Sequence, residues 1–166
     1  MSFKSPDSNP LVKPDPHHPG SAVSRAFLIE AVLNFASFPL ITHPRFVLSL
    51  LLLHPHHINP STVLFARLFG GLVVGVLTPL LLAGIPNTRN AIESRRITYL
   101  SLGLGECLLV PLLIREALKG GKDTAALSVR AAIGGIMCLA PPLAWRLYVL
   151  LARPDLLGKY KEIKEE

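Results

Sequence analysis

Four long runs of mostly apolar positions, separated by short stretches that collect prolines, glycines and charges, organise this chain. They extend from Ser24 to Ile41, from Ser61 to Ala83, from Ile97 to Ile114 and from Thr124 to Leu151. At a rise of 1.5 Å per residue, about 18 residues suffice to cross the hydrocarbon core of a bilayer. Each run is therefore predicted to be a transmembrane helix. A fifth run, Phe46 to Leu53, lies between Thr42-His43-Pro44-Arg45 and His54-Pro55-His56-His57 and is too short to span. It predicts a re-entrant or interfacial helix. Asn59-Pro60-Ser61-Thr62 has the form of a cap and proline turn opening the second span, and Ile85-Pro86-Asn87 closes it. Residues 87–96 are expected to form a polar loop. Pro141-Pro142 inside the fourth run is compatible with a span, because neighbouring helices or waters satisfy the freed carbonyls.

The predicted fold class is all-α: a four-helix transmembrane bundle with a short re-entrant or interfacial helix after the first span. Residues 1–23, with Pro6, Pro10, Pro14, Pro16 and Pro19 among polar neighbours, are expected to form a disordered cytosolic tail. Residues 24–151 form the transmembrane domain, and residues 152–166 a charged cytosolic tail. The first 24 residues lack the apolar segment of a cleavable signal peptide, so targeting is expected to be carried by the first span.

Composition agrees with this reading. Half of the residues are hydrophobic, 17% are charged and the mean hydropathy is +0.45, too apolar for an ordinary soluble domain. The net charge of +6 does not indicate nucleic acid, since the basic residues sit at the ends of apolar segments, where membrane flanks place them. One side collects Lys4, Lys13, Arg25, Arg89, Arg95, Arg96, Arg153, Lys159, Lys161 and Lys164; the other has Arg45, Arg115, Lys119, Lys122 and Arg130. Basic residues favour the cytosol, so both termini are expected there. The lipid bilayer is the expected partner.

The candidate chemistry is intramembrane charge. Glu106 lies near the middle of the third run, where an unpaired carboxylate is costly. Glu30, Asn34 and Ser37 share one face of the first helix, and Tyr99, Gly103 and Glu106 one face of the third. In the second, Arg67 aligns with Gly71 and Gly75, a pattern that suits close helix packing. Counting depth at about 1.5 Å per residue pairs Glu106 with Arg67 and Glu30 with Arg146. The expected intramembrane site comprises Glu106, Arg67, Glu30, Asn34, Tyr99 and Arg146. Arg130 and Arg146 also have the option of reaching lipid headgroups.

Cys107 and Cys138 lack the spacing of redox or zinc motifs and are expected to be small buried packing residues. His54, His56 and His57 in a proline-broken loop, with no acid or cysteine near them in sequence, are expected to be solvated; no metal and no cofactor is expected. Ala131 with Gly135 and Gly134 with Cys138 offer packing surfaces on the fourth helix, or a face for a homo-oligomer.

Thr88-Arg89-Asn90-Ala91-Ile92-Glu93 faintly resembles the Arg-Asn-x-x-Glu core of the four-helix glutathione-dependent membrane enzymes called MAPEG proteins, with Thr88 where that core has histidine. Over about 130 residues, the four short spans, the proline-broken connector and the opening Phe65-Ala66-Arg67-Leu68-Phe69-Gly70-Gly71 resemble the uncharacterised four-pass proteins grouped as DoxX-like. The latter resemblance implies a four-helix membrane bundle and no catalytic residues. The preferred function is non-enzymatic: binding an apolar ligand or partner helix at the Glu106 site, or assisting a membrane complex. The alternative is a membrane enzyme acting on a lipid, sterol or quinone-like substrate, with Glu106 as general acid or base. A proton-coupled carrier or pore ranks third, and the two halves show no internal repeat of the kind a carrier usually has.

Overall fold

The computed structural model describes residues 12–122 and 124–162. Four helical segments are long and apolar enough to cross a membrane: Ser21–Thr42, Pro60–Ala83, Arg89–Leu118 and Val129–Ala152. Between 11% and 22% of the most apolar window of each is buried inside the protein, so the remaining apolar surface faces outward. Leu33, Phe65, Leu104, Leu108 and Met137 are among the large side chains so exposed. A soluble domain with this surface would aggregate; a bilayer solvates it. The chain is a multi-pass membrane protein.

The first span comprises α1 (Ser21–Asn34), a tight turn at Phe35–Ser37 and α2 (Phe38–Thr42). Next comes α3 (Pro44–Leu51), the short helix expected after the first span, which buries Pro44 and Leu48. The second span opens on a reciprocal cap: Asn59 Oδ1 accepts from the backbone N–H groups of Ser61 and Thr62, and Thr62 Oγ1 accepts from that of Asn59. It consists of α4 (Pro60–Leu72), a wide π-helical turn at Val73–Leu77 and α5 (Thr78–Ala83). Pro79, which has no N–H to donate, explains the widening, and Thr78 Oγ1 donates to the Val73 carbonyl at 3.0 Å.

The third span, α6 (Arg89–Leu118), begins within the segment expected to be a polar loop. Thr88 caps it by accepting from the Ala91 N–H, and the arginines assigned to the loop become helix residues. The fourth span is α7 (Val129–Leu147), capped by Ser128 rather than begun at Thr124, and it ends in a wide turn at Tyr148–Ala152.

The spans pair as hairpins, the first lying along the second and the third along the fourth. Gly70 allows the first contact: a Cβ there would stand 2.9 Å from Leu40 Cβ. Gly135 allows the second, facing Leu113 at 3.0 Å, whereas Gly134 faces open space. Cys107 and Cys138, expected to be buried, are both exposed. The helix face carrying Gly103 and Glu106 turns inward, and Cys107 is turned away from it.

Residues 12–23 differ from the disordered tail expected of their composition. β1 (Val12–Pro14) pairs antiparallel with β2 (Tyr160–Glu162), Asp15 is buried, and α1 has begun by Ser21. Residues 1–11 lie outside the described residues. β1 precedes the first span and β2 follows the fourth, and their pairing brings these two flanking segments together. At the opposite end, the backbones of Leu52 and Leu127 form a single bridge that ties α3 to the approach of α7.

Candidate functional site

The two hairpins meet along a seam of aromatic and charged side chains. Phe27 of α1 packs edge-on against Tyr99 of α6, with ring centroids 5.0 Å apart. Trp145 of α7 donates its Nε1–H to the Tyr99 hydroxyl at 2.8 Å. Beside this pair the Arg146 guanidinium lies over the Tyr99 ring, 5.6 Å from its centroid.

Arg146 is the centre of the site. Its Nη1 donates to Glu106 Oε1 on the third span and its Nη2 to Glu30 Oε2 on the first. A planar guanidinium with fixed donors suits this bridging, because it presents separate N–H groups to two carboxylates at once. Gly103, one turn before Glu106, lies beside the arginine stem, where a Cβ would stand in ordinary contact 4.0 Å from Arg146 Cδ. Two polar atoms at the centre are buried without a hydrogen-bond partner among the described residues, Glu106 Oε2 and Arg146 Nε.

Of the expected site residues, the structure brings together Glu30, Tyr99, Glu106 and Arg146. Asn34 is half-buried at the end of α1, where the helix tightens, and makes no hydrogen bond to this cluster among the described residues. Arg67 is elsewhere, and its expected pairing with Glu106 does not occur. It is exposed and forms no ion pair among the described residues. The physical reason is the face that the second span presents. Ala66, Gly70, Val73, Thr78 and Leu81 turn inward, so the adjacent face with Arg67, Gly71 and Gly75 turns outward. The small-residue pair used for packing is Ala66 with Gly70, not Gly71 with Gly75. Glu106 consequently takes its arginine from the fourth span.

A further buried charge, Arg95, lies outside the expected site. It is fully buried, with no carboxylate partner among the described residues. Its Nε donates to the Gly84 carbonyl at 2.8 Å, Nη1 to the Leu157 carbonyl at 2.7 Å, and Nη2 to Ser24 Oγ at 2.7 Å and the Pro86 carbonyl at 3.0 Å. It thus solvates carbonyls at the end of the second span and joins three spans to the C-terminal turn at Pro154–Leu157. Helical spacing held the signal: Arg95, Tyr99, Gly103 and Glu106 continue one stripe, and all are buried.

His54 and His56 stack with ring centroids 5.2 Å apart, and His57 meets both rings edge-on, at 5.5 Å and 4.3 Å. Among the described residues no group of histidines, cysteines or acids has the arrangement of a metal site.

No family model, curated protein or solved structure matches this chain. No family match supports the likeness to DoxX-like proteins. The segment resembling the MAPEG core opens α6, where Arg89 Nε pairs with Glu93 at 2.9 Å and Tyr160 of β2 donates to the same carboxylate at 2.9 Å. These residues dock the C-terminal strand onto the third span.

Proposed function

We propose that the protein is a non-enzymatic integral membrane protein, both termini cytosolic, that uses the polar seam around Glu106 to bind an apolar molecule or a partner helix, or to assist a membrane complex. The observation supporting this reading is the arginine on Glu106. A carboxylate engaged by a guanidinium has much of its charge and one oxygen committed, which suits a binding element better than a free general base. Glu106 and Arg146, buried where the hairpins meet, and the half-buried Glu30 make the seam responsive to whatever packs beside it. The likeness to DoxX-like four-pass proteins is architectural and adds no activity.

The unpartnered Glu106 Oε2 keeps the enzymatic alternative in view, since that oxygen has capacity for a substrate hydroxyl or carbonyl group. Native mass spectrometry of the full chain, transferred with its surrounding lipid into nanodiscs, separates the two readings. Binding predicts a retained apolar molecule or polypeptide that is lost in Glu106→Gln and recovered chemically unchanged from the wild type. Retention equal in wild type, Glu106→Gln and Glu30→Gln would refute it. Conversion of the retained molecule that stops in Glu106→Gln would favour the enzyme.

A further inference from the structure

The Glu30–Arg146–Glu106 cluster does not balance its charge. Two carboxylates from different spans share one guanidinium, and Arg146 is 3% exposed. Each hairpin contributes groups that face it. From the first span comes Glu30, from the third Glu106 and the Tyr99 phenol, and from the fourth Arg146 with the neutral Trp145. The charged residue of the second span, Arg67, is exposed and turned away. Arg95 faces the same interior, but its donors go to carbonyls and a hydroxyl. A second uncompensated negative charge in a low-dielectric interior is costly, and two acids sharing a site commonly relieve that cost by retaining a proton. The geometry shows where it fits. Glu106 is 8% exposed, its Oε1 accepts from Arg146, and its Oε2 is buried with no partner among the described residues.

We propose that this cluster is an intramembrane proton-binding site. Glu106 takes one proton from water at Oε2, giving a neutral cluster of one arginine, one carboxylate and one carboxylic acid. Loss of that proton leaves a net negative cluster at the junction of the two hairpins, so proton occupancy is coupled to how the hairpins pack. A titratable group in this position suits a protein whose seam binds or releases a partner according to pH. The inference rests on reading the seam as a working site, and it adds the class of ligand: a proton in place of a second cation.

The chain has one tryptophan, Trp145, hydrogen-bonded to Tyr99 beside the cluster, and it provides a built-in reporter. The full chain in nanodiscs is titrated while Trp145 emission and the infrared carboxylic-acid C=O band of buried glutamate are followed. The expected result is one proton-linked transition. Its C=O band is absent in Glu106→Gln, confined to lower pH in Glu30→Gln, where one acid faces one arginine, and unchanged in Arg67→Gln. A wild type without a buried protonated carboxyl at any pH at which it stays folded overturns the proposal, as does Glu106→Gln retaining the wild-type band. A transition that follows sodium or potassium concentration instead of pH identifies a metal cation and also overturns it. If Glu106→Gln does not fold, carbon-13 labelling of glutamate in the wild type together with Glu30→Gln still decides. A titrating cluster in a protein that retains no molecule or partner refutes the binding reading alone; retention without titration refutes the proton site alone.

Discussion

Glu106 and Arg146, forty residues apart in sequence, are joined across the interface of the third and fourth spans, and the same guanidinium reaches Glu30 on the first. Removing the arginine leaves the buried Glu106 and the half-buried Glu30 without a cation, whereas Glu106→Gln leaves Arg146 with Glu30. Breaking a buried pair from one side typically costs about 3–5 kcal/mol, and apolar replacement of all members is often near neutral. Arg146→Leu is therefore expected to lose about 3–5 kcal/mol, Glu106→Gln less, and the triple Leu replacement at Glu30, Glu106 and Arg146 to regain much of the loss. Arg67→Leu should change stability by less than about 0.5 kcal/mol. Unfolding of the purified protein in mixed detergent micelles measures each difference, and strictly additive single effects would dissolve the triad.

Arg95 is expected to be at least as important for stability. Arg95→Met strands the carbonyls of Gly84 and Leu157 and the hydroxyl of Ser24 without their donor, at a cost of about 3–5 kcal/mol. Arg95→Lys keeps the charge but loses the planar fork, and should fall between Met and wild type. Thermal unfolding in detergent decides the order; a Met variant melting with the wild type would show that the buried cation is dispensable.

Glycines beside Arg95 extend the same argument. Gly20 has φ 66° and a Cβ there would stand 2.3 Å from Arg95 Nη1; Gly158 has φ 98° and a Cβ there would stand 2.9 Å from the same atom. Alanine at either position should destabilise by about 1–3 kcal/mol, from backbone strain and displacement of the arginine. Gly71→Ala meets nothing within 4 Å and should be neutral or slightly stabilising. The same melts compare all three.

The contact between the N- and C-terminal segments should depend on pH. The His17 backbone N–H donates to Asp15 Oδ1 at 3.1 Å, and with His18 and Lys161 beside it the carboxyl is held below its ordinary 3.8. A depressed carboxyl contributes stability that is complete above 3.8 and is lost as pH falls through the lower folded value. Hydrogen exchange of the Asp15 amide, which donates to the Lys159 carbonyl at 2.9 Å, should accelerate in that acid range. In Asp15→Asn the exchange should be faster at higher pH, with the acid step gone.

Orientation is expected to place both termini in the cytosol, from the bias of basic residues towards that side. Arg95 is buried and solvates carbonyls, so it leaves the surface tally, but the bias survives without it. In a background without Cys107 and Cys138, a cysteine at Lys159 should be protected from impermeant reagent in sealed right-side-out vesicles, and one at His56 should react. The reverse pattern overturns the orientation.

The sequence alone determined the number of spans, the short helix after the first, the capped entry at Asn59 and the inward turn of Glu106, whereas Arg67, expected to face a neighbouring helix, turns outward. These depend on local quantities: run length, turn residues, and the cost of an unpaired charge in lipid. Helical spacing also placed Tyr99, Gly103 and Glu106 on one face. Which arginine meets Glu106 was decided only by tertiary structure, because depth counted along a helix leaves its rotation open. About one residue of rotation separates the Ala66–Gly70 face that packs from the Arg67–Gly71 face that does not. The roles of Arg95 and of residues 12–20 likewise depended on partners distant in sequence. A buried cation solvated by carbonyls from Gly84 to Leu157 and a strand paired with Tyr160–Glu162 leave little local pattern, since their energy comes from chain segments that meet only after the hairpins have packed.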